Sequence, residues 1–131
     1  MKELIQQAAQ FKKTFKQPVE HSPTIPSEKE IILRCNLAQE EWAEFYEACL
    51  AKDHVEVFDS LVDQLYVLIG TAHSCGMGAA LEAGFKEVHR SNMTKLGADG
   101  LPIFREDGKI IKGPNYEEPN LKQVLENIYL K

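Results

Sequence analysis

Apolar residues recur every three or four positions through most of this chain, which is the spacing of one face of an α-helix. The pattern predicts four long helices, over residues 4–15, from 27 or 28 to about 51, 55–74 and 79–93. Ser27 and Glu30 stand in the arrangement of a capping box, and Asn120 can cap a last, short helix that runs through Ile128. Most of the chain before Lys95 is therefore expected to be helical.

The part of the chain that follows Lys95 is rich in glycine and proline. Two apolar pairs, at 103–104 and 110–111, flank the segment Arg105-Glu106-Asp107-Gly108, and an Asp-Gly pair between apolar runs is typical of a hairpin turn. Four helices followed by such a tail favour an all-α, four-helix bundle-like fold with a C-terminal hairpin. We expect a single domain over residues 1–131, with the tail at 96–131.

Composition places the chain among soluble globular proteins of ordinary domain size. It has 131 residues, of which 44% are hydrophobic and 27% charged, and a net charge of -5, which argues against a nucleic-acid polymer as partner. The longest uncharged apolar run, 64–75, is too short to span a bilayer, and the first residues show no secretory signal. We therefore expect no membrane association and a cytoplasmic location. The three cysteines form no CxxC pair and are expected to be reduced core residues.

Charge is spread unevenly along the chain. Between residues 28 and 63, ten acidic residues stand against three basic ones, whereas between 88 and 112, five basic residues stand against three acidic ones. Acidic side chains are the ligands of hard metal ions, and basic side chains bind phosphate. This asymmetry is the first indication of function.

The second predicted helix carries Glu40, Glu41 and Glu44 in the pattern EExxE. Residues three and four positions apart share one helix face, so Glu44 lies beside both of the others. Like charges placed in this way destabilise a helix, and no lysine is spaced to neutralise them. The stripe therefore indicates a role beyond a solvated surface.

The third predicted helix carries Glu56, Asp59 and Asp63 on one face. Asp63 is surrounded in sequence by apolar residues, on a helix whose pattern predicts burial all round, so its carboxylate needs a partner. The short turn between the two helices makes them antiparallel neighbours and brings the two acidic stripes to similar heights. Four or five converging carboxylate oxygens without histidine suit Mg²⁺ or Mn²⁺ and do not suit zinc.

Several stretches in combination resemble one known superfamily. They are EExxE, the run Asp-Gln-Leu-Tyr-Val-Leu-Ile-Gly from Asp63, Ser-Asn-Met-Thr-Lys at 91–95, and Asp-Gly-Lys-Ile-Ile-Lys-Gly-Pro-Asn-Tyr at 107–116. Together they are similar to the all-α nucleotide pyrophosphohydrolases, which include MazG-like proteins and dimeric dUTPases. The similarity is closest to the phosphoribosyl-ATP pyrophosphohydrolase-like branch, and it covers residues 11–121.

The resemblance implies an enzyme that hydrolyses a nucleoside triphosphate between its α and β phosphates, with Mg²⁺ as cofactor. The implied metal ligands are Glu41, Glu44, Asp59 and Asp63. One position departs from the family pattern, since Ser60 stands where the family has a glutamate. Asp59, one turn from Asp63, is expected to supply the missing carboxylate, with Glu56 as the alternative. Glu40 or Glu41 is the candidate that orients or deprotonates the attacking water.

Positive charge near the triphosphate has to come from the basic half of the chain. Asn92 and Lys95 share a face at the end of the fourth helix and are expected to contact sugar or phosphate. Lys109 and Lys112 lie on the predicted hairpin, which we expect to act as a substrate lid. Their three-residue spacing sends them to opposite faces of a strand, so at most one points at the same phosphate.

The sequence leaves several alternatives open. Nothing in it identifies the base of the nucleotide, and a phosphoribosyl-ATP pyrophosphohydrolase, or a non-catalytic protein that senses nucleotide or metal, would share most of these residues. Trp42 suits a core or an oligomer interface better than base stacking. The long helices carry more apolar surface than one four-helix domain buries, so we expect a homodimer or a homotetramer.

Overall fold

A computed structural model describes residues 1–130 as an all-α chain, as the sequence predicts. The helices are α1 (Lys2–Thr14), α2 (Glu28–Leu50), α3 (His54–Ser74), α4 (Leu81–Met93) and α5 (Leu121–Tyr129), with a short 3-10 helix at Gly78–Ala80. No extended strand is present in this described part of the chain. Each helix begins and ends within about two residues of the predicted position, because hydrophobic spacing and end signals agree.

The chain divides into two compact units. The first, Met1–Ala79, holds α1, α2 and α3, and the second begins at Ala80 and holds α4 and α5. In the first unit α2 and α1 both pack on α3, and in the second α4 packs on α5. The single domain over 1–131 stays a prediction. Among residues 1–130, no helix has the length and apolar character needed to cross a membrane.

Side-chain caps fix where the helices begin. Ser27 accepts a hydrogen bond from the amide of Glu30 at the start of α2, and Asn120 accepts one from the amide of Gln123 at the start of α5, as predicted. Asp53 caps α3 in the same way. Only three residues separate α2 from α3, so the chain reverses at once and the two helices are antiparallel neighbours.

A buried polar network ties the three helices of the first unit together. The Lys12 ammonium donates to Ser74 Oγ at 2.6 Å, Ser74 Oγ donates to Glu30 Oε1 at 2.8 Å, and only 1% of Lys12 is exposed. The ring of His73 lies 2.8 Å from the carbonyl oxygen of Ile5. These contacts link α1, the start of α2 and the end of α3, and hydrophobic spacing alone did not predict them.

The packing of the first unit corrects two expectations from sequence. Helix α3 is not buried all round in the single chain, since Leu61, Leu65 and Leu68 are exposed, the last by 57%. All three cysteines are free, as expected, but Cys35 and Cys49 are exposed and do not belong to the core. Apolar residues on helix faces away from the partner helix find nothing to cover them within one chain.

In the second unit the tail folds back on the end of α4. The Gly113 amide donates to the Lys95 carbonyl at 2.9 Å, and Ser91 Oγ donates to the Glu117 carbonyl at 2.7 Å. The predicted hairpin is present in reduced form, as one antiparallel bridge between Phe104 and Ile110. Its strands are too short to extend the ladder further, because prolines and glycines bound it on both sides.

Candidate active site

The carboxylates of the two acidic stripes meet where α2 packs on α3. Burial and the negative charges of Glu44, Asp63 and Asp59 raise the pKa of Glu41. Burial and the charge of Asp59 also raise the pKa of Asp63. Four acidic residues from two helices therefore lie close enough together for their negative charges to disfavour ionisation of Glu41 and Asp63. We refer to these four residues as the acidic cluster.

One oxygen of the acidic cluster is buried and unsatisfied. Glu41 Oε2 is closed off from solvent and has no hydrogen-bond partner among residues 1–130. A buried acceptor left in this state costs roughly 1–3 kcal/mol, and more when it carries charge. A cation next to this oxygen would remove that cost and would also offset the repulsion within the cluster.

The donor chemistry of the acidic cluster fits a hard divalent cation, since every member is a carboxylate. Within the part of the chain that the structure describes, no three Asp, Glu, His or Cys side chains stand in an arrangement that could hold a metal ion. These side chains would have to turn inward to share one. Helices α2 and α3, which carry these side chains, pack directly on one another.

Asp59 and Glu56 are the two alternatives for the fourth metal ligand, and they occupy different surroundings. The charge of Asp59 raises the pKa of both Glu41 and Asp63, and Glu56 is not among the groups that do so. Glu56 instead lines an open cavity of about 260 Å³ with Glu44, near the turn between α2 and α3. The electrostatics group Asp59, and not Glu56, with the rest of the acidic cluster.

Ser60 lies next to Asp59 in the sequence but does not belong to the acidic cluster. Ser60 is 2% exposed, and its hydroxyl donates a hydrogen bond to the carbonyl oxygen of Glu56, one turn earlier, at 2.9 Å. A hydroxyl committed to the helix backbone in this way is not available as a ligand without breaking that bond. The residue that departs from the family pattern is therefore a packing residue here.

The predicted substrate-binding residues all lie in the second unit. Asn92 and Lys109 are exposed, and Lys95 is half-buried at the point where α4 has ended. The Lys112 ammonium lies 4.6 Å from the centre of the Tyr116 ring, a cation–π contact. Among residues 1–130, Lys109 makes no such contact with an aromatic ring.

Arg90, which is also basic and close to Lys95 in sequence, has a structural role. Its guanidinium donates to both oxygens of Glu87, at 2.8 and 3.0 Å, and reaches Glu117 at 3.4 Å. Glu87 also accepts from the amide of Asn120 at the start of α5. These bonds, first of all those from Arg90, lower the pKa of Glu87 to about 2. Arg90 and Glu87 together connect α4 with the tail and with the start of α5.

Two cations are buried in the first unit, Lys12 and Arg34, and neither was predicted from the sequence. Arg34 is 7% exposed and lies in an apolar stretch, Ile31-Ile32-Leu33 before it and Cys35 after it. The same signal that singled out Asp63, a lone charge within an apolar stretch, could have singled out Arg34.

One family model matches most of the chain. The family model described as phosphoribosyl-ATP pyrophosphohydrolase matches residues 8–92, which is well over half of the chain. The chain is also similar to a solved structure from Exiguobacterium sp. 255-15, described as a "putative NTP pyrophosphohydrolase", with 26% identity over 94% of this chain and 92% of that one, and a TM-score of 0.31. No protein of curated function matches.

The family match includes α2 and α3, and so the whole acidic cluster, together with almost all of α4. It confirms the resemblance that EExxE and the stretch after Asp63 indicate. The chain belongs to the phosphoribosyl-ATP pyrophosphohydrolase family and is a hydrolase of pyrophosphate bonds.

Proposed function

We propose that the protein hydrolyses a nucleoside triphosphate to the monophosphate and pyrophosphate. The observation that carries this proposal is the acidic cluster, in which Glu41 and Asp63 have raised pKa values and Glu41 Oε2 is buried without a partner. Such a group of carboxylates is costly to the fold unless a cation joins it. Membership of a pyrophosphohydrolase family makes the phosphates of a nucleotide the natural second ligand of that cation.

In this proposal a divalent cation, Mg²⁺ or alternatively Mn²⁺, binds the acidic cluster of Glu41, Glu44, Asp59 and Asp63. When bound, it neutralises charge on the phosphate oxygens. The ligand set is supported by the mutual effects on the pKa values, which include Asp59 and leave out Glu56. Two helices that pack directly on one another supply all four carboxylates, so the site needs no other element to form.

Glu41 and the neighbouring Glu40 are the candidates for activating the attacking water. A carboxylate whose pKa is raised holds a proton more readily, so Glu41 is suited to accept a proton from the attacking water. Glu40 is exposed and can approach water on the outer side of the helix. We assign Glu41 to both the metal and the orientation of water, and Glu40 to assistance of that step.

The substrate itself is proposed to contact Asn92, Lys95, Lys109 and Lys112. Asn92 and Lys95 come from the end of α4 and suit the sugar and a phosphate, while the hairpin lysines bring positive charge on the tail. Charged donors of this kind bind phosphate strongly. We propose that the tail, 96–131, serves as a lid over the bound triphosphate.

A homodimer or homotetramer in the cytoplasm is the proposed form of the protein. It is supported by large apolar side chains that the single chain leaves uncovered, among them Trp42, which is 60% exposed, and Phe58, which is 68% exposed. Apolar area of this kind is usually covered by association. Trp42 packs edge-on against Phe45 at 5.9 Å and so extends an aromatic surface of α2.

Phosphoribosyl-ATP is the second candidate substrate, because the family model that matches is described by it. The experiment that decides is a pyrophosphate-release assay with Mg²⁺ over canonical, deoxy and modified nucleoside triphosphates, with phosphoribosyl-ATP in the same panel. We expect release from triphosphates and none without divalent metal. Tight nucleotide binding without any release would identify a sensor instead.

A further inference from the structure

An apolar stripe without any charged residue runs along α2. Its members follow one another at alternating steps of four and three positions, and they are Ile31, Cys35, Ala38, Trp42, Phe45 and Cys49. Cys35, Trp42 and Cys49 are exposed in the single chain. Such steps repeat every 3.5 residues or about one helical turn, which is the spacing of a seam that packs on another helix.

Helix α3 carries a second apolar stripe with the same steps. Its members are Phe58, Leu61, Leu65, Leu68 and Ala72, and again none of them is charged. The phenylalanine and the three leucines are exposed in the single chain. Two neighbouring helices thus each present a seam of coiled-coil spacing that the described chain leaves open to solvent.

The two apolar stripes border one groove. A cavity of about 340 Å³ lies between α2 and α3, and both stripes contribute to its lining. The α2 stripe contributes Cys35, Ala38 and Trp42, and the α3 stripe contributes Leu65 and Leu68. The stripes therefore form one continuous surface, which we call the stripe face. A contiguous exposed apolar surface of this kind marks an interaction site.

One polar side chain of this groove lacks a partner within the chain. Arg34 Nε donates to Thr71 Oγ1 at 2.9 Å, and its Nη2 donates to the Val67 carbonyl at 2.7 Å. Gln64 differs, because its Nε2 is buried and has no hydrogen-bond partner among residues 1–130. A buried donor without an acceptor costs free energy, and an acceptor for Gln64 has to come from outside the described chain.

We propose that a second copy of this chain covers the stripe face with its own α2 and α3. The inference rests on the oligomer proposed above and identifies its interface. Each copy has a net charge of -5, so two copies approach most readily through a face that carries no charge. A second copy also brings stripes of the same length and spacing, as a contact between identical surfaces requires.

The mass of the protein in solution tests this interface. Leu68→Glu places a carboxylate of each copy in an apolar contact, where its desolvation opposes association. We expect light scattering after size-exclusion chromatography to give a mass of two or four chains for the wild type and at most half of it for Leu68→Glu. Phe85→Glu, at a residue of α4 that is 69% exposed, should keep the wild-type mass. Wild-type mass in folded Leu68→Glu protein overturns the inference.

Thiol reactivity tests whether the second copy lies on the groove itself. Cys35 is exposed in the single chain and lines the cavity. N-ethylmaleimide should alkylate Cys35 roughly 10-fold or more faster in Leu68→Glu than in the wild type, because the second copy covers this thiol in the oligomer. Phe85→Glu should react at the wild-type rate.

A second variant keeps the test decisive if Leu68→Glu does not fold. Trp42→Glu, at an exposed residue of the other stripe, should lower the mass and expose Cys35 in the same way. Equal alkylation rates in wild type and a folded stripe variant overturn the inference. A mass of one chain for the wild type overturns the inference and the proposed oligomer together. None of these measurements depends on hydrolysis, so a failure of the proposed activity is a separate result.

Discussion

Asp63 on α3 lies close enough to Glu41 on α2 for the charge of one to raise the pKa of the other. Both carboxyl groups are also partly withdrawn from water, and burial is the larger cause of each raised pKa. A raised carboxyl pKa means that the ionised form destabilises the fold. This cost is present above the raised pKa and disappears as the pH falls through it.

Neutral substitutions should therefore stabilise the protein while they abolish its activity. At pH 8 without divalent metal, Glu41→Gln and Asp63→Asn should each raise the melting temperature by roughly 2–6 °C, because they remove a partly buried charge and keep the shape of the side chain. Hydrolysis should be lost in both. The control is Glu47→Gln, an exposed carboxylate of α2, which should change neither quantity. Unfolding of both site variants would show that the carboxylates hold the fold together instead.

Divalent metal should also stabilise the wild-type protein. Millimolar Mg²⁺ or Mn²⁺ should raise its melting temperature, because a ligand that binds only the native state stabilises it. The same addition should have much less effect on Glu44→Gln, which lacks one ligand charge. Equal melting temperatures with and without metal would speak against a site at the acidic cluster.

Asp59 and Glu56 can be separated by a metal titration of activity. Asp59→Asn should raise the Mg²⁺ concentration needed for half-maximal activity by about 10-fold or more, because the charge of Asp59 acts on both Glu41 and Asp63. Glu56→Gln should change it only mildly, as Glu56 faces the open cavity near the turn. The reverse order would show that Glu56 is the fourth ligand.

The hairpin lysines test the lid. Lys109→Ala should raise KM for the nucleotide by roughly 10-fold with little change in melting temperature, because an exposed charged donor contributes to phosphate binding and not to packing. Lys112→Ala should have the smaller effect on KM, since Lys112 already contacts the Tyr116 ring. Lys122→Ala, on α5, is the matched control. Unchanged kinetics in both hairpin variants would remove the tail from the mechanism.

The buried network of the first unit predicts an effect on stability. Ser74→Ala leaves the Lys12 ammonium and Glu30 without the hydroxyl that joins them, and should lower the free energy of unfolding by about 1–3 kcal/mol. Chemical denaturation measures this change. Thr14→Ala at the exposed end of α1 should have little effect by comparison. Equal effects of the two substitutions would mean that the network is dispensable.

The helices and the meeting of the acidic stripes could be predicted because both depend on local spacing. Period and caps set the ends of α2 and α3, and a short turn between them fixes their register, so Glu41 and Asp63 had to come close. The choice of Asp59 over Glu56 as the fourth ligand rests on the same count of residues along one helix, and it stays a prediction.

Contacts between distant parts of the chain could not be predicted in this way. Lys12 donates a hydrogen bond to Ser74, 62 positions later in the sequence. Arg34 lies against Gly70 only once α2 and α3 have packed together. Hydrophobic spacing predicts which face of a helix is apolar but not whether another chain covers it, which is why Leu68 is exposed here against expectation.

Cleavage between the α and β phosphates can be recognised from the identity of the products. Purified protein is incubated with uridine triphosphate and Mg²⁺, and the products are resolved by phosphorus NMR, with Asp63→Asn as the inactive control. We expect monophosphate and pyrophosphate in equal amounts, and neither from the control. Diphosphate and inorganic phosphate as products, or equal turnover by the Asp63→Asn variant, would contradict it.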